Sequence, residues 1–334
     1  MNKLHLTAML VAALAVAGGT LLLSGSAARG LLPAGADVVV SAPCTVPPGD
    51  ALHPGMVWVP AGAFTMGRAG AYPEEGPPHA AEVTGFWMDQ SEVTNAQFAE
   101  FVAATGYTTL AERGIDDGAG GTLAGSAVFA PQFVDGQLDP YASWWQFRAG
   151  ANWREPQGPG STLDGLDQHP VVHVAYEDAL AYAEWKGHSL PTEAQFEYAA
   201  QTSVERNDDA FASNTWQGFF PAQDEQLDGH GSTAPVGCYA PNALGLYDLI
   251  GNVWEWTASP YYAAHDFSAA ADYPEGFDPA QPGEAVAVVK GGSFLCAPNY
   301  CMRYRPQARQ GQSKGLGTVH TGFRTVLNLP LRSD

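Results

Sequence analysis

Cysteine is scarce in this chain: four residues in 334. A disulfide framework cannot carry a fold of this length with so few, so stability has to come from a packed core. The supply is adequate, with 46% hydrophobic residues and nine tryptophans. Basic charge is also scarce. Fifteen lysines and arginines against 35 acids leave a formal net charge of −20. The chain therefore lacks the cations that displace counterions from a nucleic-acid backbone, and nucleic-acid binding is excluded. An acidic balance of this kind suits a soluble protein, and one that attracts basic peptides. No Gly-rich phosphate loop and no Gly-x-Ser-x-Gly nucleophile elbow occurs. No internal repeat is visible. Long helical stretches are few, while Gly (38) and Pro (25) are abundant, which predicts many loops and turns.

What is present begins with an export signal. Lys3 opens it, an apolar run spans Leu4 to Leu23, and Ser24-Gly25-Ser26-Ala27-Ala28 suits cleavage after Ala27 or Ala28. The run is also near spanning length, so an uncleaved membrane anchor is the second reading of residues 1–28. Either places the body outside the cytoplasm, periplasmic or extracellular, where disulfides persist. Cys44 and Cys238 are then candidates for a structural bridge, although sequence alone does not pair them. Residues 29–54 are rich in Ala, Gly and Pro and read as a linker. The body is expected at 55–330.

Within that body a strand is expected at Met56-Val57-Trp58-Val59, ended by Pro60 and Gly62. Thr94 and Gln97 form a capping box ahead of the stripe Phe98, Phe101 and Val102, predicting a helix. A second helix is expected over Tyr176 to Lys186, stopped by Gly187. A third follows Thr192 as N-cap, with Gln195 three residues on. Residues 112–168 show little periodicity, but Trp144, Trp145 and Trp153 argue for an ordered stretch. After residue 210 short strands and turns are expected. This mixture predicts a single α+β domain with little regular secondary structure.

The two remaining cysteines carry the chemistry. Cys296 and Cys301 lie five apart, with Arg303, Arg305 and Arg309 close behind. On a straight strand an odd separation points the side chains to opposite faces. Pro298-Asn299 between them reads as a tight turn, and a turn there brings the two sulfurs into neighbouring positions. Two readings follow: a plain disulfide, or two thiolates clasping a soft ion such as Cu(I). Nearby cations lower a thiol pKa. For Arg305 and Arg309, ion pairing with acids is the preferred reading. His169 and His173 have a spacing that holds zinc on a helix. Their surroundings, Pro170-Val171-Val172 and Val174, read as strand, so zinc is not expected.

Several motifs together resemble the sulfatase-modifying-factor domain. They are Met56–Gly62 followed by Phe64, Met66 and Gly67; Glu92-Val93-Thr94-Asn95; Leu190–Ala199; Gly245-Leu246-Tyr247-Asp248; Gly251-Asn252-Val253-Trp254-Glu255-Trp256; and Gly322-Phe323-Arg324. The resemblance spans about 55–326. Gly291-Gly292-Ser293 ahead of the cysteine pair, and Arg303-Tyr304-Arg305 after it, resemble formylglycine-generating enzymes in particular. The resemblance implies a variant of the C-type lectin fold. It also implies an aerobic oxidase that converts a cysteine of an unfolded sulfatase, in a Cys-x-Pro-x-Arg-type peptide, to Cα-formylglycine. Copper as Cu(I) would be held by Cys296 and Cys301, with the substrate thiolate as a third ligand and Ser293 as a hydrogen-bond donor nearby. Arg303 and His320 would border the substrate. Structural calcium is implied at two sets: Asn214, Thr215, Asp228 and His230; and Asp248, Gly251, Val253 and Glu255. A monomer is expected, although the sequence leaves the oligomeric state open. The rivals are a binding or scaffold module of this fold with Cys296–Cys301 disulfide-bonded, and an oxidase acting on a different exported substrate. Pro306 and Thr325 stand where some relatives have cysteine, and the segment 310–318 departs from the family pattern, which bears on the substrate groove.

Overall fold

The computed structural model describes residues 44–116, 120–135, 137–139, 143–201 and 213–329. The apolar run at 4–23 and most of the expected linker lie outside the described residues. The last part of that stretch is tied to the body. Cys44 is disulfide-bonded to Cys238, and Gly55 N–H donates to the Pro48 carbonyl.

Among the described residues, four α-helices form where local chemistry specifies them. Helix α1 (Asn95–Thr105) has the full reciprocal box between Thr94 and Gln97, and Gly106 ends it at φ 68°. Its buried face presents Phe98, Phe101 and Val102. Helix α2 (Leu110–Arg113) is one turn with its own box, Thr109 and Glu112, a signal the sequence reading passed over. Helix α3 (Tyr176–Lys186) starts after Ala175, which has no capping side chain; the Asp178 carboxylate accepts the Ala175 N–H instead. Gly187 ends it at φ 71°. Helix α4 (Glu193–Gln201) has the expected exchange between Thr192 and Gln195.

The sheets are small and mixed. The largest has four strands in the order Arg309–Ser313, Val286–Lys290, Trp254–Pro260 and Thr321–Gly322, with only the last pair parallel. Val286–Lys290 is buried along its whole length, so it carries no polar face. Met56–Val59, Phe86–Asp89 and Val326–Asn328 make a three-stranded sheet. The described part of 112–168 contains the antiparallel pair Gly125–Phe129 and Trp145–Ala149. Segment 310–318, expected to bear on the substrate groove, begins as strand, with Gln310 to Ser313 paired to Val286 to Val289, and continues from residue 314 as a turn and irregular chain.

The main core joins α1, α3 and the four-stranded sheet. Phe98 contacts Phe101, Trp153, Tyr182 and Phe323, and it is fully buried. Truncating such a ring to alanine costs about 3–5 kcal/mol. Cys296 and Cys301 belong to this same cluster. The cysteine pair thus sits at the edge of the rigid core, which fixes its position.

Candidate thiol centre

The cysteines enter from the end of the buried strand Val286–Lys290. Gly291 and Gly292 follow, both with positive φ (92° and 82°). A Cβ on Gly292 would lie 2.5 Å from the Arg303 carbonyl oxygen, so only glycine lets the two ends of the loop close on each other. Phe294 N–H donates to the Asn252 carbonyl (2.9 Å) and Trp216 N–H to the Cys296 carbonyl (3.0 Å). The turn expected at Pro298-Asn299 is present, closed by Tyr300 N–H to Ala297 O (3.1 Å). No regular strand flanks it, but the consequence holds. The two sulfurs stand 3.3 Å apart, and both cysteines are free and buried. A disulfide needs about 2.05 Å, so these are two thiols in hydrogen-bond contact.

That contact splits their acidities. Cys301 is held down to about 6, first by the hydrogen bond from Cys296 and then by the Arg303 charge, against the opposing effect of burial. Burial, followed by the contact with Cys301, pushes the Cys296 thiol well up. The pair shares one proton, with Cys296 S–H donating to the Cys301 thiolate. Ser293 also reaches Cys296, but through its backbone: Ser293 N–H lies 3.4 Å from the sulfur, while its hydroxyl accepts the Leu295 N–H (3.3 Å). The group of Ser293 that reaches this sulfur is thus the main-chain N–H and not the hydroxyl.

The three arginines divide as the sequence suggested. Arg303 Nη1 is 4.0 Å from the Cys301 sulfur. Arg305 pairs with Glu75. Arg309 is fully buried and holds both oxygens of Glu193 (2.7 and 3.0 Å). Lys290 shares that network, bonding Glu197 at 2.8 Å.

An aromatic wall flanks the pair. Tyr300 stacks on Phe220 (ring centroids 4.6 Å) and meets Trp144 edge-on (5.2 Å). Trp216, Phe129 and Trp145 pack against Phe294, Leu295 and Ala297 on the same side. Trp145 also covers His320 (4.7 Å). His320 is buried, with Nδ1 on Thr318 Oγ1 (2.6 Å). Burial, and then the neighbouring His173, push its pKa down to about 3. It is a neutral imidazole at physiological pH, behind the wall. His169 and His173 bond to different partners, Thr233 for one and Ser126 with Pro156 for the other. His173 has φ 60°, and only Pro170 of this stretch makes a β-bridge, so the expected strand is an irregular extended segment.

Asn252 links the first of the two implied calcium sets, through Asn214, to Glu92. The Asn214 side chain donates to Ser232 O (2.8 Å) and to Asn252 Oδ1 (3.0 Å), while its own Oδ1 is buried without a partner. Asp228 accepts His230 N–H and the Tyr239 hydroxyl. In the second set Asp248 accepts Gly237 N–H (2.7 Å). Glu255 gives both oxygens to Arg324 (2.7 and 2.8 Å), so an ion there would share them with the guanidinium. Glu92, named in the sequence only as part of a motif, joins this set. Its Oε1 accepts from Asn252 (3.1 Å) and its Oε2 is buried without a partner. Burial, then Asp248 and Glu255, raise its pKa well above the usual carboxylate range. Three buried acids around one arginine leave an unmet demand for positive charge, and orphan oxygens are what a hard cation takes. Both sets suit calcium on donor chemistry. Among the described residues, no group of three or more His, Cys, Asp and Glu side chains is arranged to hold a metal; these sets lean on amide and main-chain oxygens instead.

Two further residues were out of reach of local pattern. Tyr72 and Glu74 touch Met302 and Arg303 from about 230 positions away, and no spacing rule connects such segments.

Comparison with known proteins converges on one family. The model of the sulfatase-modifying factor enzyme 1-like domain matches residues 45–329. The formylglycine-generating enzyme of Mycobacterium tuberculosis is 44% identical over 289 residues, covering 81% of this chain and 97% of its own. A mouse relative named inactive Cα-formylglycine-generating enzyme 2 is 35% identical over 294 residues, covering 83% and 86%. Among solved structures, PvdO of Pseudomonas aeruginosa superposes with a TM-score of 0.52 at 23% identity, covering 82% of this chain and 94% of its own, a likeness of fold. The chain belongs to the sulfatase-modifying factor enzyme family, the family of the formylglycine-generating enzymes.

Proposed function

We propose that this protein is a copper-dependent oxidase that converts a cysteine of a sulfatase-type polypeptide to Cα-formylglycine with molecular oxygen. Family membership alone does not decide activity, because a relative named inactive matches as well. The observation that carries the reading is the free, buried cysteine pair with sulfurs 3.3 Å apart. A scaffold module stapled at this point would have the two sulfurs bonded.

Two soft sulfur donors at one point suit Cu(I). Cys296 and Cys301 would hold it, and bound there it supplies the redox chemistry with oxygen. The protein's own part is positional. Cys301 is already ionised near neutral pH, and Arg303 offsets its charge. Ser293 N–H fixes the Cys296 sulfur. The aromatic wall of Trp144, Phe220 and Tyr300 excludes water from one side and offers flat apolar surface, which suits the proline of a Cys-x-Pro-x-Arg peptide. Calcium at the Asn214 and Asp248 sets would be structural. The Cys44–Cys238 bridge supports an exported protein, since such bonds persist in oxidising compartments. The apolar run at 4–23 supports either a cleaved signal or an anchor.

The test incubates purified full-length protein with Cu(I), oxygen and a Cys-x-Pro-x-Arg peptide. Mass spectrometry then looks for replacement of the thiol by an aldehyde, confirmed by hydrazide capture. Absence of conversion with copper demonstrably bound would refute the reading for that sequon.

A further inference from the structure

One short segment far away in sequence closes over the thiol centre. Tyr72 and the one-turn helix Pro73–Glu75 lie across the run Cys301 to Arg305. The Tyr72 ring sits 3.8 Å from the Arg303 guanidinium carbon and 5.4 Å from that of Arg305. Its hydroxyl accepts the Met302 N–H at 3.1 Å. Glu74 Oε1 accepts both Nε (2.8 Å) and Nη2 (2.5 Å) of Arg303. Glu75 holds Arg305, and Arg309 Nη1 donates to the Glu74 carbonyl (3.1 Å).

The geometry of Arg303 follows from these contacts. A guanidinium is a rigid planar fork. With one edge on Glu74 and one face on Tyr72, its remaining nitrogen has one direction left, and Nη1 points at Cys301 Sγ, 4.0 Å away. The Arg303 and Glu74 side chains are only 18% and 16% exposed, so solvent does not take over this arrangement as it does for a surface pair. Nothing else among the contacts of Arg303 holds it toward the sulfur.

We propose that Tyr72 and Glu74 are positioning residues of the thiol centre: they aim Arg303 at Cys301 and thereby set how tightly the pair holds a monovalent soft cation. This rests on the copper reading above. The sign of the effect separates position from charge. A cuprous dithiolate is anionic, so by charge alone removal of Glu74 leaves Arg303 unneutralised and tightens binding. If Glu74 acts by aiming Arg303, its removal weakens binding instead.

The experiment is an anaerobic competition titration of the full chain with Cu(I) and a chromogenic Cu(I) chelator. Arg303→Ala is expected to weaken binding about tenfold, the scale of one charge-assisted contact. Glu74→Ala and Tyr72→Leu should weaken it severalfold, and Tyr72→Phe, which keeps the ring, should stay near the parent. The double variant Glu74→Ala/Arg303→Ala should bind no more weakly than Arg303→Ala alone, since the clamp acts only through that arginine. The rate of iodoacetamide reaction at Cys301, measured by mass spectrometry on copper-free protein at fixed pH, should fall in the same order. If the parent fails to bind Cu(I) while the variants still slow Cys301 alkylation, the copper reading falls and the clamp stands. If Glu74→Ala binds Cu(I) as tightly as the parent or more tightly, and alkylates at the parent rate, the clamp is overturned. Should the truncations fail to fold, Glu74→Gln, which removes the charge and keeps the volume, replaces Glu74→Ala in this comparison, with Tyr72→Phe as the control expected to match the parent.

Discussion

Arg324→Met tests the acidic cluster behind the thiol centre. Arg324 is fully buried and is bound bidentately by Glu255. It also donates to the carbonyls of Asp89, Gln90 and Tyr247. Methionine keeps much of the volume, so the loss is electrostatic and hydrogen-bonding rather than a cavity. Removing one partner of a buried ion pair costs about 3–5 kcal/mol. With a urea m-value near the upper end of the usual range, about 3 kcal/mol/M, the unfolding midpoint should fall by roughly 1–1.7 M. The pH dependence has a definite sign. Glu92 and Glu255 have folded pKa values raised above the unfolded value, by burial first and neighbouring acids after. A raised carboxyl binds its proton more readily in the folded state, so stability falls as pH rises above the unfolded value. Arg324 opposes that rise in Glu255; without it the slope should steepen, and the deficit should shrink from pH 7 toward pH 5. Added calcium should restore part of it at pH 7 by supplying the missing positive charge. Urea titrations at pH 5 and 7, with calcium and with chelator, read all of this. A midpoint within 0.3 M of the parent at pH 7 in chelator, equivalent to under about 1 kcal/mol, would refute the view that this cluster depends on its arginine.

Three further outcomes are expected. Alkylation of the reduced, copper-free protein should give one thiol, Cys301, with a midpoint near 6 and a second, Cys296, that resists into the alkaline range; Cys296→Ala removes the donor and should move the Cys301 midpoint upward. Cys44→Ser opens a bridge of sequence separation 194; by loop entropy alone this costs up to about 5 kcal/mol, read as a lower thermal midpoint that reducing agent does not lower further. His173 is fully buried, and burial pushes its pKa down to about 4. Its unfolded form takes a proton near 6.5 while the folded form does not, so this contribution, of the order of 3 kcal/mol, is lost as pH falls from 6.5 toward 4. His173→Gln should flatten that part of the acid-stability curve.

Much of the fold was legible because helices are specified locally. Thr94 with Gln97, Thr192 with Gln195, and the stop at Gly187 are chemistry within one turn of chain, and the structure uses each of them. The turn at Pro298-Asn299 is equally local, so adjacency of the two sulfurs could be argued before any coordinates. What stayed hidden was long-range. The partner of Arg303 is Glu74 and that of Arg324 is Glu255, pairings across 229 and 69 positions. Thr325 proves to be a hydrogen-bond node: it donates to Asp89 Oδ2 through both N–H and hydroxyl and meets His188 Nδ1. A sequence tells which side chains want partners; only topology tells which partner arrives.

Topology also explains why acids buried at some energetic cost lie behind the cysteine loop. The Asn252 carbonyl accepts Phe294 N–H, two residues before Cys296. The Asn252 side chain donates to Glu92 and accepts from Asn214 and Ala234. One residue therefore joins both acidic sets to the segment that carries the thiols. The loop has almost no regular secondary structure to hold it, and its glycines at 291 and 292 are backbone-permissive. Its rigidity has to come from outside: from Asn252 and Trp216 on the inner side, and from Tyr72 and Glu74 on the outer. A centre that must keep two sulfurs at one spacing, with one of them ionised, is thus fixed by parts of the chain that could not be read from its own motif.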